Sequence, residues 1–251
     1  MTTNVLDKRN ARVTSDSRWS VDDAAGGYVY YVDNTHFDKI AERSTAVMIC
    51  AGDAELIDQW KQWFVDEDAG YEAPPSHLQD LQGNVIAAIT VTVITKPGFA
   101  VDFSEGLYHR HEDSAYFCGS GGAAAKDCYS VNGCSFRCVD SASVADPFTG
   151  GDVKYYDVSS FENNLSNPKA SLQDMLDQLV DRGFAMNKTT REITPMSPLT
   201  QEELRQKLAN GTLSASAPTG VPLRGWSDRA RHDAQEAMRR IVEREKAANG
   251  E

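Results

Sequence analysis

The feature that most constrains this chain is an uncharged, mostly apolar stretch at residues 84–95. It is shorter than the roughly 18 apolar residues that a membrane-spanning helix needs. It is also rich in Val, Ile and Thr, whose branched side chains favour strands. A turn at residues 96–98 and a second apolar run at 99–103 follow. We therefore expect a β-hairpin with a long, buried first strand, and no membrane span.

Other segments of the first 188 residues predict both strands and helices. Residues 2–7 and 12–17 are typical of two strands joined by a polar turn. A buried strand at 45–50 stops at Gly52, and apolar side chains then recur at helical spacing from Leu56 to Phe64. Residues 28–32 predict a strand or the tip of a hairpin, and residues 152–158 a further strand. We also expect a short helix capped by Ser76, a helix after Gly122 and a helix from Ser171 to Gly183.

The chain changes character near residue 189, where prolines and small residues become frequent. Within this part, residues 200–203 predict a capping box that opens a short helix. Residues 227–248 predict a charged helix with one apolar side. Two placements are open for that helix: it packs on the body of the protein or on a partner, or it is exposed to solvent on all sides. We expect a domain at 2–188 and, at 189–251, a Pro/Ser-rich linker with a helical C-terminal extension.

Composition excludes several classes of protein. Hydrophobic residues make up 41% of the 251 positions, too many for a disordered chain. The net charge is −12 and basic residues are not clustered, so nucleic-acid binding is not expected. The N-terminus lacks the pattern of a signal peptide, which predicts a cytoplasmic protein. Five cysteines are an odd count, and we expect free thiols.

Short motifs in a fixed order carry the functional information. They are Thr2-Thr3, Asp16-Ser17-Arg18, Asp38-Lys39, Cys50-Ala51-Gly52-Asp53-Ala54, Gly119-Ser120-Gly121-Gly122 and Asp146-Pro147-Phe148-Thr149-Gly150-Gly151 with Tyr156 beyond. Over residues 2 to about 183 this series resembles the catalytic subunits of the proteasome family, in particular the bacterial HslV-type peptidases. The last motif is the most specific, since the family has Asp-x-Tyr-Ser-Gly-Gly there.

The resemblance implies an α+β fold, a four-layer αββα sandwich of the N-terminal nucleophile hydrolases. Two facing antiparallel sheets would be covered by helices on both sides. Between Gly122 and Asp146 only 23 residues intervene, so the two family helices there must be short.

The resemblance also implies the roles of individual residues. Thr2, made N-terminal by removal of Met1, would be the nucleophile. Its own α-amine would be the base, since a free α-amine titrates near about 7.7–8.0. Asp16 would orient Lys39, and Lys39 would lower the proton affinity of the hydroxyl. Gly52 would supply a backbone N–H to the oxyanion.

Three more residues, Ser120, Asp146 and Thr149, would complete the network around the Thr2 amine. Thr149 stands where the family commonly has Ser, and it keeps the hydroxyl. A substrate pocket would be lined by residues that flank the motifs: Trp19, Phe37, Cys50 and Ala54. Their apolar character predicts an apolar or aromatic side chain before the cut bond; the alternative is that they are ordinary core.

The expected function is a threonine peptidase that cleaves peptides or unfolded proteins, without metal or cofactor, inside a ring and with an ATP-dependent unfoldase as a possible partner. Two alternatives stay open: a catalytically silent scaffold or binding protein, and a small-molecule amidase of the same class. A metal site is disfavoured because the cysteine spacings lack C-x2-C pairs; its candidate ligands are His109, His111, Cys128, Cys134 and Cys138. A nucleotide loop at residues 119–122 lacks the Lys-Ser/Thr that should follow.

Overall fold

The computed structural model describes residues 2–66, 72–106, 109–166 and 171–250, which form a mixed α+β protein with antiparallel sheets. The strands are β1 (Asn4–Asp7), β2 (Arg12–Ser15), β3 (Trp19–Asp23), β4 (Tyr28–Val32), β5 (Ile40–Glu42), β6 (Ala46–Asp53), β7 (His77–Gln79), β8 (Val85–Thr95), β9 (Val101–Glu105), β10 (His109–His111), β11 (Ala115–Cys118), β12 (Lys154–Asp157), β13 (Phe184–Asn187), β14 (Ile193–Pro195) and β15 (Ser216–Ala217). The helices are α1 (Ala54–Val65), α2 (Gly122–Asn132), α3 (Ser135–Ala145), α4 (Leu172–Arg182), α5 (Pro198–Ala209) and α6 (Asp228–Asn249).

The strands form two sheets. The smaller has the order β10-β11-β1-β2-β12, so the N-terminal hairpin lies at its centre. The larger has the order β14-β13-β4-β3-β15-β6-β8-β7, with β5 also on β6 and β9 also on β8. All pairings are antiparallel.

The alternation of side chains along β1 divides the core. Val5 is buried in a cluster with Tyr129 of α2 and Val139 of α3. Its neighbour Leu6 belongs to a different cluster, with Ile49 of the larger sheet. Successive side chains of a strand point to opposite faces, so one face of the small sheet carries helices and the other meets the larger sheet.

A third and larger cluster joins strands of the larger sheet to α1, α4, α5 and α6. It includes Trp60 of α1 and Met175 of α4, together with residues far along the chain such as Leu204, Trp226 and Met238. The part after residue 189 therefore shares its core with the preceding part. None of the helices in the described ranges combines the length and apolar content that a bilayer crossing needs.

The tail helix α6 docks on the body, which decides between the two placements left open by its sequence. Its apolar side is buried through Met238 and Ile241. Ion pairs hold its C-terminal half, because Arg244 contacts Asp102 at 2.7 Å and Glu245 contacts Arg43 at 2.6 Å.

Several predicted elements are confirmed: the N-terminal hairpin, the strand β4, the long strand β8, the helices α1 and α2, the Ser171 capping box of α4 and the charged helix α6. All five cysteines are free; Cys50, Cys118 and Cys138 are buried, whereas Cys128 and Cys134 are partly exposed.

Three predictions about local structure are wrong. Ser76 caps no helix; strand β7 follows it, and its hydroxyl accepts from the Trp226 N–H at 3.4 Å. Helix α5 is capped by Ser197 rather than by Thr200, because Pro198 presets the backbone of the first turn. The strand after β8 starts at Val101 rather than at Phe99, since Phe99 lies in the turn with a φ of 50°.

Candidate active site

Three buried polar side chains meet at the start of β1. The Thr2 hydroxyl donates to Asp16 Oδ1 and accepts from Lys39 Nζ at 2.7 Å. Lys39 Nζ also donates to Asp16 Oδ1 at 2.8 Å. Each residue is at most 1% exposed. The sequence-predicted nucleophile, lysine and orienting carboxylate are thus brought into direct mutual contact.

The position of Asp16 at the end of β2 explains how a carboxylate is tolerated there. Oδ1 also accepts from the Thr3 N–H at 2.9 Å, and Oδ2 accepts from the Arg18 and Gly150 N–H groups, each at 3.1 Å. With the Thr2 hydroxyl and Lys39, five donors surround this side chain. Such a set offsets the cost of removing a charge from water.

Burial lowers the pKa of Lys39, and the Asp16 carboxylate opposes that shift. The ammonium therefore holds its proton less firmly than a solvated lysine does. A cation that donates to the Thr2 hydroxyl also favours the ionised oxygen. Lys39 can therefore stabilise negative charge on Thr2 Oγ1, whereas Asp16 Oδ1, which accepts from the same hydroxyl, opposes it.

A second cluster surrounds Asp146, at the end of α3. Ser120 and Thr149 both donate to Asp146 Oδ2, at 2.9 and 2.8 Å. The Thr149 hydroxyl lies 2.9 Å from the Thr3 hydroxyl. Ser120, Asp146 and Thr149 thus come together as a set, and they reach the first cluster through the side chain of Thr3.

Gly52, the expected oxyanion donor, lies in β6 with a φ of 135°. A Cβ there would lie 2.3 Å from the Ala88 carbonyl oxygen, so the backbone of β8 itself requires glycine at this position. On its other side, Gly52 is opposite Ala217 of β15.

The four expected pocket residues, Trp19, Phe37, Cys50 and Ala54, belong to the large core cluster, and each is at most 2% exposed. The rings of Trp19 and Phe37 lie 5.0 Å apart, and Trp19 Nε1 donates to the Phe37 carbonyl at 2.7 Å. Burial raises the pKa of the Cys50 thiol, which stays neutral. Trp19 and Phe37 thus pack on each other, and all four side chains are part of the buried core.

Lys61 is a neighbour of that group which the sequence analysis missed. It follows Ala54 by seven residues, or two helical turns, so α1 presents both on one face. Its Nζ lies 4.0 Å from the centre of the Phe37 ring, and burial lowers its pKa, opposed by Asp38. Together with Asp38 and Asp58 it lines a cavity of about 720 Å³.

Arg18, the last residue of the Asp16-Ser17-Arg18 motif, connects two loops of the site. Its guanidinium pairs with both carboxylate oxygens of Asp33, at 2.8 and 2.9 Å, and lies 3.8 Å above the Tyr31 ring. It also donates to the Pro147 carbonyl at 2.8 Å. Arg18 therefore ties the loop after Asp16 to the loop after Asp146. The only sign of this role in the sequence was the position of Arg18 in the Asp16-Ser17-Arg18 motif.

The candidate metal ligands lie on separate elements of the fold. His109 and His111 lie on β10, while the three cysteines belong to α2, α3 and the turn between them. Within the described ranges, no group of three or more His, Cys, Asp or Glu side chains is arranged to hold a metal ion.

No model of a known protein family matches this chain, and a search of curated proteins found no match to it either.

Proposed function

We propose that this chain is a threonine peptidase of the N-terminal nucleophile class, with Thr2 as the attacking residue after removal of Met1. The observation that carries the proposal is the contact of one threonine hydroxyl with both a buried lysine and a buried carboxylate. A serine or threonine hydroxyl is a weak nucleophile until a base and nearby positive charge activate it.

In the proposed reaction, the free α-amine of Thr2 takes the proton of Oγ1, directly or through a water. Oγ1 then attacks the carbonyl carbon of the peptide bond. Lys39 stabilises the charge that develops on Oγ1, and Asp16 keeps Lys39 in place. The Gly52 N–H is the proposed donor to the oxyanion, a contact of a kind worth about 3–4 kcal/mol in other hydrolases.

Collapse of the tetrahedral intermediate transfers the proton to the leaving amine and leaves an ester on Thr2. Water, activated by the same α-amine, then hydrolyses the ester and regenerates the hydroxyl. The cluster of Ser120, Asp146 and Thr149 would hold the backbone around Thr2 and Thr3 during both steps, since Thr149 contacts Thr3 at 2.9 Å.

The core clusters support a four-layer sandwich as the architecture of this peptidase. One cluster lies between β1 and α2–α3, a second joins the two sheets, and a third lies under α1, α4 and α6. A ring, an ATP-dependent unfoldase and a cytoplasmic location are proposed on the family resemblance alone. Light scattering tests the ring, because a stable 27.6 kDa monomer would contradict it.

The direct test is covalent labelling. The purified protein is sequenced from its N-terminus and treated with an epoxyketone, which reacts with both the hydroxyl and the amine of an N-terminal threonine. We expect the chain to start at Thr2 and to gain one adduct on that residue by mass spectrometry. Retention of Met1, or absence of an adduct in every form tested, would contradict the peptidase.

Two variants check the residue assignment. Thr2→Ala removes the hydroxyl and should abolish peptide hydrolysis. Ser15→Ala is the matched control, because the Ser15 hydroxyl is also buried but bonds Asn4 Oδ1 at 2.6 Å and the Asp16 backbone carbonyl at 3.1 Å. Hydrolysis that survives in Thr2→Ala would exclude Thr2 as the nucleophile. Turnover of simple amides with no turnover of peptides would favour the small-molecule amidase.

A further inference from the structure

Residues 214–221, which we call the strap, lie between strand β3 and the C-terminal end of strand β6. Within the strap, β15 pairs with β3 at Ser20 and with β6 at Asp53 and Gly52. The Ala54 N–H donates to the Ala215 carbonyl at 2.9 Å. In the order of the larger sheet, β3 and β6 are connected only through β15. The strap thus fills a groove between two strand edges.

The strap continues from this groove to the loop beside Thr2. Gly220 packs so closely on Ser120 that a Cβ would lie 2.5 Å from the Ser120 Cα. Gly119, the residue before Ser120, packs on Thr2, where a Cβ would lie 2.0 Å from the carbonyl oxygen. The strap therefore spans from Gly52, the proposed oxyanion donor, to the loop that covers Thr2, and Thr2 is 0% exposed.

Few contacts hold the strap in the groove. Its strand is two residues long, and its apolar contribution to the core is the methyl groups of Ala215 and Ala217. The next firm anchor is Trp226, which donates to the Ile89 carbonyl at 2.9 Å and packs on Trp60 and Phe103. Trp226 and α6 are thus anchored by contacts that the strap does not make.

We propose that the strap is an autoinhibitory strand that occupies the groove in place of a substrate. An extended peptide adds readily to an exposed strand edge through backbone hydrogen bonds. Strand β5 already covers β6 at residues 47–49, so the gain lies along β3, where the strap pairs only at Ser20. A peptide that pairs with more residues of β3 gains more such bonds than the strap gives up. The substrate is therefore an extended, unfolded polypeptide that displaces the strap. This inference rests on the peptidase proposed above.

Two glycines give a matched test. Gly220→Ala places a methyl group against Ser120, whereas Gly211 has nearly the same φ, 72° against 75°, with nothing within 4 Å of the added Cβ. Backbone strain is therefore similar in the two variants, and the clash is specific to Gly220. We expect Gly220→Ala to react with the epoxyketone about tenfold faster than Gly211→Ala, which should match the wild type. Equal labelling rates in the two variants would overturn the proposal that the strap is autoinhibitory.

A reversible lock gives an independent test should Gly220→Ala fail to fold. Ser20→Cys combined with Ser216→Cys joins two residues that lie opposite each other on β3 and β15. We expect oxidation to suppress labelling of Thr2 and reduction to restore it. A measurable labelling rate that is the same in the oxidised and reduced forms refutes an autoinhibitory role of the strap while leaving the peptidase intact.

A binding measurement separates failure of the strap from failure of the peptidase. Fluorescence anisotropy follows a fluorescein-labelled peptide with the sequence of residues 212–221. Stronger binding to Gly220→Ala or to the reduced double variant than to the oxidised form supports the strap even if Thr2 is never labelled. Equal binding to all forms, or binding to none, overturns it.

Discussion

The contact between Asp16 and Lys39 makes Asp16→Asn the most informative single change. Asparagine has nearly the same shape, but it replaces one acceptor oxygen by an NH₂ donor. Both carboxylate oxygens of Asp16 accept backbone N–H groups, so in either orientation the new donor faces another donor. The substitution also leaves the ammonium of Lys39, which is 1% exposed, without its counter-ion.

The magnitude follows from this geometry. Removing one partner of a buried ion pair costs about 3–5 kcal/mol, because the other charge stays buried without compensation. For a chain of this size that corresponds to a fall in Tm of about 6–20 °C. Asp22→Asn is the matched control, since Asp22 pairs with Lys188 at 2.7 Å but both side chains are about 40% exposed. For Asp22→Asn we expect the free energy of unfolding to fall by about 0–1 kcal/mol.

Urea unfolding followed by circular dichroism measures both variants. Adding Lys39→Met to Asp16→Asn removes the stranded charge, and we expect the double variant to recover about 1 kcal/mol or more relative to Asp16→Asn alone. A value for Asp16→Asn within about 1 kcal/mol of the wild type would refute the reasoning. A double variant less stable than Asp16→Asn would refute it equally.

Three further changes test other parts of the fold. Lys61→Met should stabilise the protein, because the folded state lowers the pKa of Lys61 and so disfavours its charged form. The gain in the free energy of unfolding is full below the folded-state pKa and shrinks as the pH rises toward 10.5, the ordinary pKa of lysine. Urea unfolding at about pH 6 and at about pH 10 measures the difference. Gly52→Ala should lower the free energy of unfolding in urea by about 2–6 kcal/mol. Gly83→Ala is its control and should lower it by about 1–2 kcal/mol, because an added Cβ there meets nothing within 4 Å. Trp226→Ala should lower the free energy of unfolding by about 3–5 kcal/mol in the same assay. A loss near zero would contradict the role of Trp226 as an anchor.

Much of the local structure could be predicted from the sequence because it depends on neighbouring residues. The apolar run of β8 and the helical spacing of α1 are confirmed, as is the capping box of Ser171. Ser76 shows the limit of such reasoning. A serine before a polar segment is a good helix cap in isolation, but here its hydroxyl bonds with Trp226, which is 150 positions away.

The candidate site divides in the same way. The ordered motifs were enough to select Thr2, Asp16 and Lys39, and the structure brings them into contact. They did not reveal that Thr149 contacts Thr3, or that Lys61 lies over the ring of Phe37. Those contacts depend on which faces of separate elements meet, and no local pattern records that.

The sequence by itself thus predicted several of the strands, most of the helices and the candidate site residues Thr2, Asp16 and Lys39, because periodicity, caps and side-chain chemistry are local properties. Only the tertiary structure decided that residues 214–221 enter the sheet between β3 and β6. Their small and polar side chains are typical of a linker, and a linker composition does not specify a partner. The pairing arises because two strand edges lie one strand's width apart and their backbone groups require hydrogen bonds.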